Sequence, residues 1–289
     1  MRIAVTGSTG TLGGQVVRLL ADPGRDVVDE VVALARRPEA VPGTPDAAVP
    51  VVARYADYDD PASLAAALRD VDVLVFVSSD GEAARMMVHH QNVVRAAGGA
   101  RVGHVVYLSG VDADLASPFC YAYTNGWTEQ LLATSGCGYT FARAALFTEF
   151  LAAFLRPALR TGELRVPAGT GRVSPVSRAD VGRALAALAL ADPTGTHHDL
   201  TGPAALGLDA VADVLSRVGE RPVRYTDVPP PALAQELAGA GEDPWWTYAY
   251  CSMFASVRED RWSAVSGEVR RLTGRDPLAL ADVLRGDAA

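Results

Sequence analysis

Short apolar runs alternate with segments of helical spacing over the first half of the chain. Six of these runs are typical of buried strands: Ile3–Val5, Val31–Ala35, Val51–Ala53, Val71–Val77, Val105–Leu108 and Tyr139–Ala142. Most are separated by enough residues for a helix, as parallel strands joined by right-handed crossovers require. In the first such segment Leu12, Val16 and Leu19 share one helical face, and the segment stops at Asp22-Pro23-Gly24. The pattern predicts an α/β fold with a doubly wound parallel sheet.

The regular alternation of apolar runs and helical segments changes near Ala145. Strand candidates follow at Arg172–Val176, His198–Thr201 and Val223–Tyr225, with helical stretches between and after them. We therefore predict a sheet domain over residues 1–145 and a smaller C-terminal lobe over residues 146–289. The segment at about 173–202 is expected to pack back onto the first sheet.

A glycine turn joins the first predicted strand to the first helix. Its glycines stand at i, i+3 and i+6 within Thr6–Gly14. Glycine permits a tight turn and a close backbone approach to a pyrophosphate, to which the helix N-terminus offers N–H groups. A glycine triplet alone is a common loop, but this position favours a Rossmann-type dinucleotide site. The predicted cofactor contacts of the turn are Gly7, Ser8, Thr9, Gly10, Thr11, Leu12 and Gly13.

The end of the second predicted strand indicates which dinucleotide is bound. A fold that binds NAD usually carries an acidic residue about 20 residues beyond the glycine turn, where this chain has Arg36. A guanidinium can bind a ribose 2'-phosphate that an acidic side chain would repel. We therefore expect NADP(H) to be preferred over NAD(H), and the alternative is a solvated arginine in a surface loop.

Residues after the third and fourth predicted strands fit the same ligand. They can contact the adenine and the passing nucleotide, or they can be ordinary helix caps. These residues are Asp57, Tyr58, Val77, Ser78 and Ser79. They support the dinucleotide site without being independent evidence for it.

Composition removes several classes of function. All 26 basic residues are arginines, so no lysine can form a Schiff base or complete a Walker phosphate loop. The formal net charge of -8 argues against nucleic-acid and anionic-membrane partners and favours a small-molecule substrate. No two of the five histidines have the i, i+4 spacing of a helical metal site, and we expect no metal.

Cysteine use and the N-terminal sequence bear on localisation. The three cysteines lack CxxC spacing, which is typical of reduced thiols rather than a disulfide framework. No signal pattern precedes the first predicted strand, and no apolar run is long enough to span a bilayer. We expect a cytoplasmic protein that is a monomer or a homodimer.

Motifs along nearly the whole chain resemble the atypical short-chain dehydrogenase/reductases of the NmrA-like group. That group includes bacterial NAD(P)H:quinone oxidoreductases and triphenylmethane-dye reductases. The resemblance lies in the segments Thr6–Gly14, Val31–Pro38, Ala56–Leu64, His89–Ala97, His104–Gly110, Gly138–Arg143 and Ser177–Leu185. It implies a nicotinamide at the carboxyl ends of the strands, under a small variable lobe that shapes the substrate pocket.

The resemblance also implies catalytic residues, with one departure from the superfamily. A serine after the fifth strand and a Tyr-x-x-x-Lys pair supply the chemistry there. Ser109 and Tyr121 match, the lysine position is Asn125, and Glu129 matches a position that is often acidic. A lysine would lower the tyrosine pKa, whereas Asn125 can hydrogen-bond the ribose without a charge. A weakened acid suits a quinone or a cationic dye, whose reduced form is weakly basic, better than a simple ketone.

Aromatic residues are candidates for the substrate pocket. Phe147 and Phe150 follow the sixth predicted strand. Trp246 shares a helical face with Tyr250 and Met253, although such a stripe is more often plain core.

The leading hypothesis is an NADPH-dependent oxidoreductase that transfers hydride to a conjugated acceptor such as a quinone. Tyr121, Ser109 and Asn125 would form its catalytic site. Two alternatives remain open, because the superfamily lysine is absent and the sequence does not identify a substrate. One is a redox sensor or regulator that binds NADP(H) without catalysis, and the other is a tailoring reductase of a biosynthetic pathway.

Overall fold

The structure, a computed structural model, describes residues 1–22, 27–44 and 47–286. In chain order its strands are β1 (Arg2–Val5), β2 (Glu30–Ala35), β3 (Val51–Tyr55), β4 (Val73–Phe76), β5 (His104–Gly110), β6 (Gly138–Ala144), β7 (Glu163–Val166), β8 (Arg172–Val173), β9 (His197–Leu200), β10 (Leu206–Gly207) and β11 (Arg224–Asp227). Seven of them form one sheet in the order β3-β2-β1-β4-β5-β6-β9. The pairs from β3 through β5 are parallel. This sheet confirms the predicted doubly wound α/β fold of Rossmann type.

Helices connect these strands. In chain order they are α1 (Thr11–Ala21), α2 (Pro61–Ala67), α3 (Ala83–Ala100), α4 (Cys120–Ala133), α5 (Thr148–Thr161), α6 (Arg178–Ala189), α7 (Leu208–Val218), α8 (Pro230–Gly239), α9 (Pro244–Arg258), α10 (Glu268–Thr273) and α11 (Leu280–Arg285), with a single 3-10 turn at Pro38–Ala40. Helix α1 joins β1 to β2, and α2, α3 and α4 join the successive strands from β3 to β6, whereas the described residues between β2 and β3 contain only the 3-10 turn.

Helix α1 confirms most of its predicted inner face. Leu12 and Val16 are buried, but Leu19 is only half-buried, and Val17 and Leu20 are buried in its place. The buried face is therefore centred on Val16, Val17 and Leu20, and Leu19 lies at its edge. The helix ends at Ala21 and Asp22 is extended, while Pro23-Gly24 of the predicted stop signal lies outside the described residues.

The strand order reverses beside β1, which lies between β2 and β4. Ligands of such sheets bind outside the carboxyl ends of the strands at this switch point. Here Thr6 connects the segment that follows β1 to the segment that follows β4. Its hydroxyl accepts a hydrogen bond from the Val77 N–H at 2.9 Å and lies 3.2 Å from the Val77 carbonyl oxygen. The two loops that follow are thereby held at a fixed separation.

One apolar core packs under the sheet strands β4 and β5. Phe76 and Tyr107 are fully buried, and their ring centroids lie 5.1 Å apart. His90 of α3 packs edge-on against Phe76, with a centroid distance of 5.0 Å. This packing makes the strand ends that carry the cleft loops rigid.

Two compact units divide the chain. The first comprises Met1–Ser109, Gly126–Arg143 and Val181–His198, and the second comprises Gly110–Asn125, Ala144–Asp180 and Asp199–Ala289. The step from Arg143 to Ala144 lies next to the predicted boundary at residue 145, and that boundary stays a prediction.

The second unit contains two small sheets. Strands β7 and β11 pair in parallel, and β8 and β10 pair antiparallel. The predicted strand at Arg172–Val176 is too long, because β8 ends at Val173. The Ser174 N–H donates to the Trp262 carbonyl oxygen at 3.1 Å, and Pro175 has no N–H to donate. Likewise, the predicted strand at Val223–Tyr225 is shifted to Arg224–Asp227, where it follows the register of β7.

Within residues 1–22, 27–44 and 47–286, the helices are all too short or too polar to cross a membrane.

Candidate dinucleotide site

The turn after β1 has the backbone geometry that its glycines predict. Gly7 has a φ of +63°, in the left-handed region that glycine adopts without strain. Its carbonyl oxygen accepts a hydrogen bond from the Gly10 N–H at 2.9 Å. A Cβ on Gly13 would lie 2.3 Å from the same oxygen, so a side chain there is excluded. The first turn of α1 therefore packs directly on the glycine turn.

The N-terminus of α1 is suited to an anion. Gly10 is its N-cap residue and provides no side-chain cap, and the first turn contains no acidic residue. The N–H groups of the first turn and the helix dipole are therefore available to a phosphate group.

A cleft of about 700 Å³ opens beside this turn, which is a volume typical of small-molecule sites. Its walls are the loops that follow β1, β2, β3 and β4, together with the start of α3. It brings together nine of the predicted cofactor residues: Gly7, Thr9, Gly10, Arg36, Asp57, Tyr58, Val77, Ser78 and Ser79.

Four residues of the predicted glycine-turn contacts lie outside the cleft lining. Ser8 is buried, and its hydroxyl donates to the Val5 carbonyl oxygen at 2.6 Å. Leu12 is buried on the inner face of α1. Thr11 and Gly13 belong to the first helical turn, whose backbone N–H groups can serve a ligand. Cofactor contact by these four residues stays a prediction.

Arg36 lies in the cleft wall immediately after β2 and is exposed. No hydrogen bond or ion pair from another described residue reaches its guanidinium. The other arginine of the lining, Arg85, is ion-paired with Asp59. An unpaired guanidinium at this position fits the 2'-phosphate of an NADP-type ligand.

The residues after β3 hold their loop by hydrogen bonds. The Asp57 N–H donates to the Ser63 hydroxyl oxygen at 2.9 Å, and the Asp57 carboxylate accepts from the Asp59 N–H at 3.0 Å. The Tyr58 hydroxyl donates to the Val77 carbonyl oxygen at 2.8 Å, and burial raises the pKa of this phenol. Tyr58 therefore enters the cleft as a neutral, fixed ring.

The sequence reasoning missed a polar cluster in the cleft wall. Asp59, Arg85 and His89 all line the cleft, and Asp59 bonds to both of the others. Two local signals could have indicated it. Asp59 follows Asp57 and Tyr58 in the same loop, and Arg85 and His89 are four residues apart on α3, which places them on one helical face.

Ser109 is buried at the end of β5 and is part of an ionic network. Its hydroxyl donates to Glu129 Oε1 at 2.6 Å. Arg143 binds the same carboxylate with two nitrogens, Nε to Oε1 at 2.9 Å and Nη2 to Oε2 at 2.5 Å. Because the Ser109 proton is donated to Glu129, the serine oxygen can only accept a further hydrogen bond.

Tyr121 and Asn125 belong to the second unit, at the start of α4. The ring of Tyr121 lies 6.4 Å from that of Trp245 and 6.5 Å from that of Trp246, measured between centroids. The Asn125 amide nitrogen lies 3.0 Å from where a Cβ on Gly110 would stand. The amide of Asn125 therefore packs closely on the backbone of Gly110, the residue after Ser109.

Two of the three predicted substrate residues join one aromatic cluster of the second unit. Trp246 stacks on Tyr250 with a centroid distance of 5.8 Å, and Phe150 lies 6.0 Å from the same tyrosine ring. Phe147 lies elsewhere, with the Arg178 guanidinium 5.2 Å above its ring. The deeper residues of α9, including Met253, are core. A substrate role for all three stays a prediction.

The parallel sheet, the glycine turn and the cleft together define a dinucleotide-binding α/β protein. A family model described as NAD(P)H-binding matches residues 7–193. The chain belongs to this NAD(P)H-binding family.

Three known proteins are similar along most or all of their length. Quinone oxidoreductase 2 of Escherichia coli (strain K12) is 33% identical over 83% of this chain and 82% of that protein. NAD(P)H azoreductase of Xenophilus azovorans is 31% identical over 99% of this chain and 98% of that protein. The crystal structure of Citrobacter sp. triphenylmethane reductase complexed with NADP(H) superposes with a TM-score of 0.86 at 28% identity, covering 99% and 100% of the two chains.

Proposed function

We propose that this protein uses NADPH, in preference to NADH, to reduce a conjugated small-molecule acceptor such as a quinone. The chain is an oxidoreductase of the NAD(P)H-binding family, and its relatives are named as a quinone oxidoreductase and an NAD(P)H azoreductase. The observation that carries the preference is the unpaired guanidinium of Arg36 in the cleft. It would neutralise a ribose 2'-phosphate with charge-assisted hydrogen bonds.

The residues of the cleft fit the cofactor. Gly7 and Gly10 line the cleft at the N-terminus of α1, which has no side-chain cap and would hold a pyrophosphate with its backbone N–H groups. Asp57 and Tyr58 would border the adenine, and Ser78 and Ser79 would border the ribose that follows. When bound, NADPH supplies a hydride equivalent to the acceptor.

We assign the proton chemistry to Tyr121 rather than to Ser109. Ser109 donates its proton to Glu129, so it can orient a donor but cannot protonate the acceptor. Asn125 provides no positive charge with which to lower the phenol pKa. The proton donor is therefore weak, and this limits the substrate to acceptors whose reduced form is a weak base, as a hydroquinone or a leuco dye is.

We also propose a domain organisation, a cellular compartment and an oligomeric state for this protein. Residues 1–145 would hold the cofactor and residues 146–289 the acceptor, with Phe147, Phe150 and Trp246 as its contacts. All three cysteines are thiols, in keeping with a cytoplasmic protein. We propose a monomer or a homodimer with a small-molecule substrate and no nucleic-acid or membrane partner.

The test is a turnover assay with purified protein, NADPH and a panel of quinones, cationic dyes, azo dyes and enones. Loss of the absorbance of reduced nicotinamide should depend on the acceptor. Tyr121→Phe should lower kcat by at least about a hundredfold, the low end of the contribution of a general acid, with NADP⁺ affinity unchanged. The exposed Tyr123→Phe, two residues along the same helix, should match the wild type.

An inactive protein that still binds NADPH would contradict the enzyme proposal. It would support a sensor or regulator that binds the dinucleotide without catalysis. If turnover is restricted to one unusual acceptor, the panel result would instead favour a tailoring reductase.

A further inference from the structure

A chain of three hydrogen-bonded side chains crosses the wall of the dinucleotide cleft. Ser79 Oγ lies 3.1 Å from His89 Nδ1, and His89 Nε2 lies 2.9 Å from Asp59 Oδ1. The three residues come from the loop after β4, from α3 and from the loop after β3, and all three line the cleft. His89 is 8% exposed, so its ring is fixed between its two partners. We call this the Ser79–His89–Asp59 chain.

The chemistry of Asp59 decides which nitrogen of His89 carries the proton. An ionised carboxylate can only accept, so Nε2 must be the protonated nitrogen. Arg85 Nε lies 3.3 Å from the same nitrogen, but both atoms then carry hydrogens, and Arg85 makes its hydrogen bond to the second oxygen of Asp59. In neutral His89 the other nitrogen, Nδ1, therefore accepts a hydrogen bond from the Ser79 hydroxyl.

Protonation of His89 reverses the hydrogen bond to Ser79. Nδ1 then donates to the serine oxygen, and the Ser79 O–H is released toward the cleft. The residue thus presents an acceptor when the imidazole is neutral and a donor when it is charged. A donor next to an added positive charge favours the oxygens of a polyanionic ligand.

Asp59, Arg85, Tyr58 and His90 contact His89 or lie next to it, and the carboxylates of Asp57, Asp80 and Glu82 line the same cleft. Hydrogen bonds from Arg85 and then from His89 lower the pKa of Asp59, and Asp59 raises the pKa of Arg85. Burial raises the pKa of Tyr58, whose ring centroid is 5.7 Å from that of His89. Burial lowers the pKa of the adjacent His90 to about 3.

We propose that His89 is a positioning residue that sets the direction of the Ser79 hydrogen bond in the cofactor cleft, and thereby makes dinucleotide affinity depend on pH. Asp59 fixes the tautomer on which this depends. Naming NADP(H) as the ligand rests on the function proposed above. Affinity for NADP⁺ should increase as the pH falls from 8.5 to 5.5, relative to a protein in which residue 89 cannot be protonated.

The test compares wild type with two variants by calorimetric titration with NADP⁺ across this pH range. His89→Asn places an amide near the position of Nδ1, which keeps a partner for Ser79 but cannot become charged. His89→Gln reaches toward Asp59 instead and leaves Ser79 without its partner. The phosphate groups of NADP⁺ change their protonation in the same way with all three proteins. The ratio of a variant Kd to the wild-type Kd at the same pH therefore isolates the contribution of His89.

The ratio of the His89→Asn Kd to the wild-type Kd should rise by about fivefold between pH 8.5 and pH 5.5, the equivalent of one net hydrogen bond. His89→Gln should bind more weakly than His89→Asn at pH 8.5. Thermal denaturation at each pH verifies that the variants are folded. A ratio that is constant across the range, with all proteins folded, would overturn the inference.

Ser79→Ala separates positioning from a general effect of charge. If His89 acts through the Ser79 hydroxyl, the pH dependence should be largely lost in Ser79→Ala. Full retention of the dependence would show that the imidazole charge acts alone and would contradict the positioning role. Absence of NADP⁺ binding by wild type at every pH would instead defeat the proposed function, so the two failures are distinguishable.

Discussion

Two adjacent arginines, Arg36 and Arg37, differ in whether they line the cleft. Arg36 lines it, whereas Arg37 does not, although both are exposed after β2. A strand end turns consecutive side chains in different directions, so one residue can meet a ligand while its neighbour meets solvent. The pair therefore provides a matched test of cofactor preference.

Arg36→Ala should weaken NADP⁺ binding by about tenfold or more, because a hydrogen bond to a charged group contributes about 1.5–3 kcal/mol. Binding of NAD⁺, which lacks the 2'-phosphate, should change little. Calorimetric titration of both dinucleotides measures the two effects. Arg37→Ala should leave both affinities near the wild-type values.

Equal losses for both dinucleotides would mean that Arg36 does not contact the phosphate. In that case the guanidinium would be a solvated surface group, and the NADP(H) preference would have no structural basis.

At the scale of elements, α2 illustrates how a short helix is held beside the cleft. It has only seven residues, too few to be stable by itself, and begins with Pro61. The Asp60 carboxylate caps it by accepting hydrogen bonds from the N–H groups of Ala62 and Ser63, at 3.0 and 3.2 Å. This cap also ends the loop that carries Asp57, Tyr58 and Asp59.

Asp60→Ala should destabilise the protein by about 1 kcal/mol, the usual contribution of such a cap. Urea denaturation followed by circular dichroism measures the change. Asp60→Asn is the control, because its side-chain oxygen can still accept from the same N–H groups, and it should lose only a few tenths of a kcal/mol. If both variants lose the same stability, the cap is not the cause.

The small strands of the second unit were the elements that sequence reasoning missed or misplaced. β7 has the sequence Glu163-Leu164-Arg165-Val166, which alternates polar and apolar residues over only four positions. That length is too short to distinguish a strand from a loop. Its identity depends on β11, which pairs with it from 61 residues away at Arg224 and Glu163.

At the scale of the whole molecule, buried histidines link stability to pH. His90 is fully buried against Phe76 and Tyr107. Its Nδ1 is bonded to Thr128 Oγ1 at 2.8 Å, and its Nε2 has no partner among the described residues. Burial lowers its pKa to about 3, and burial also lowers the pKa of His104. The folded protein therefore keeps His90 neutral at pH values where an unfolded chain would protonate it.

The free energy of unfolding should fall as the pH drops below about 6.5, the ordinary histidine value. The unfolded chain takes up a proton there that folded His90 does not, and the loss continues until about pH 3. At pH 5 the contribution of His90 alone should be about 2 kcal/mol, from 1.36 kcal/mol per pKa unit.

Urea denaturation at pH 7 and pH 5 measures this dependence. The difference between the two pH values should shrink in His90→Asn by most of that amount, whatever the variant loses at pH 7. The exposed His197→Asn should keep the wild-type difference. An unchanged difference in His90→Asn would assign the acid sensitivity to other groups.

The sheet and the glycine turn could be predicted from the sequence, because both depend on local patterns. Strand runs and helical spacing repeat within a few residues, and the conformational freedom of Gly7 is a property of the residue itself. The same local evidence placed Arg36 at the end of β2, where it lines the cleft.

The hydrogen-bond partners of the buried polar groups could not be predicted from the sequence and are known only from the folded structure. The donation of the Ser109 proton to Glu129, and the contact between Ser79 and His89, join residues that are 20 and 10 positions apart. His89, one of the two partners of Asp59, lies 30 positions away on another element. Hydrogen-bond partners are set by how the elements pack, and no spacing along the chain encodes that packing. The physical reason is that β-strand and helix signals are local, whereas the direction of a buried proton depends on the groups that folding brings beside it.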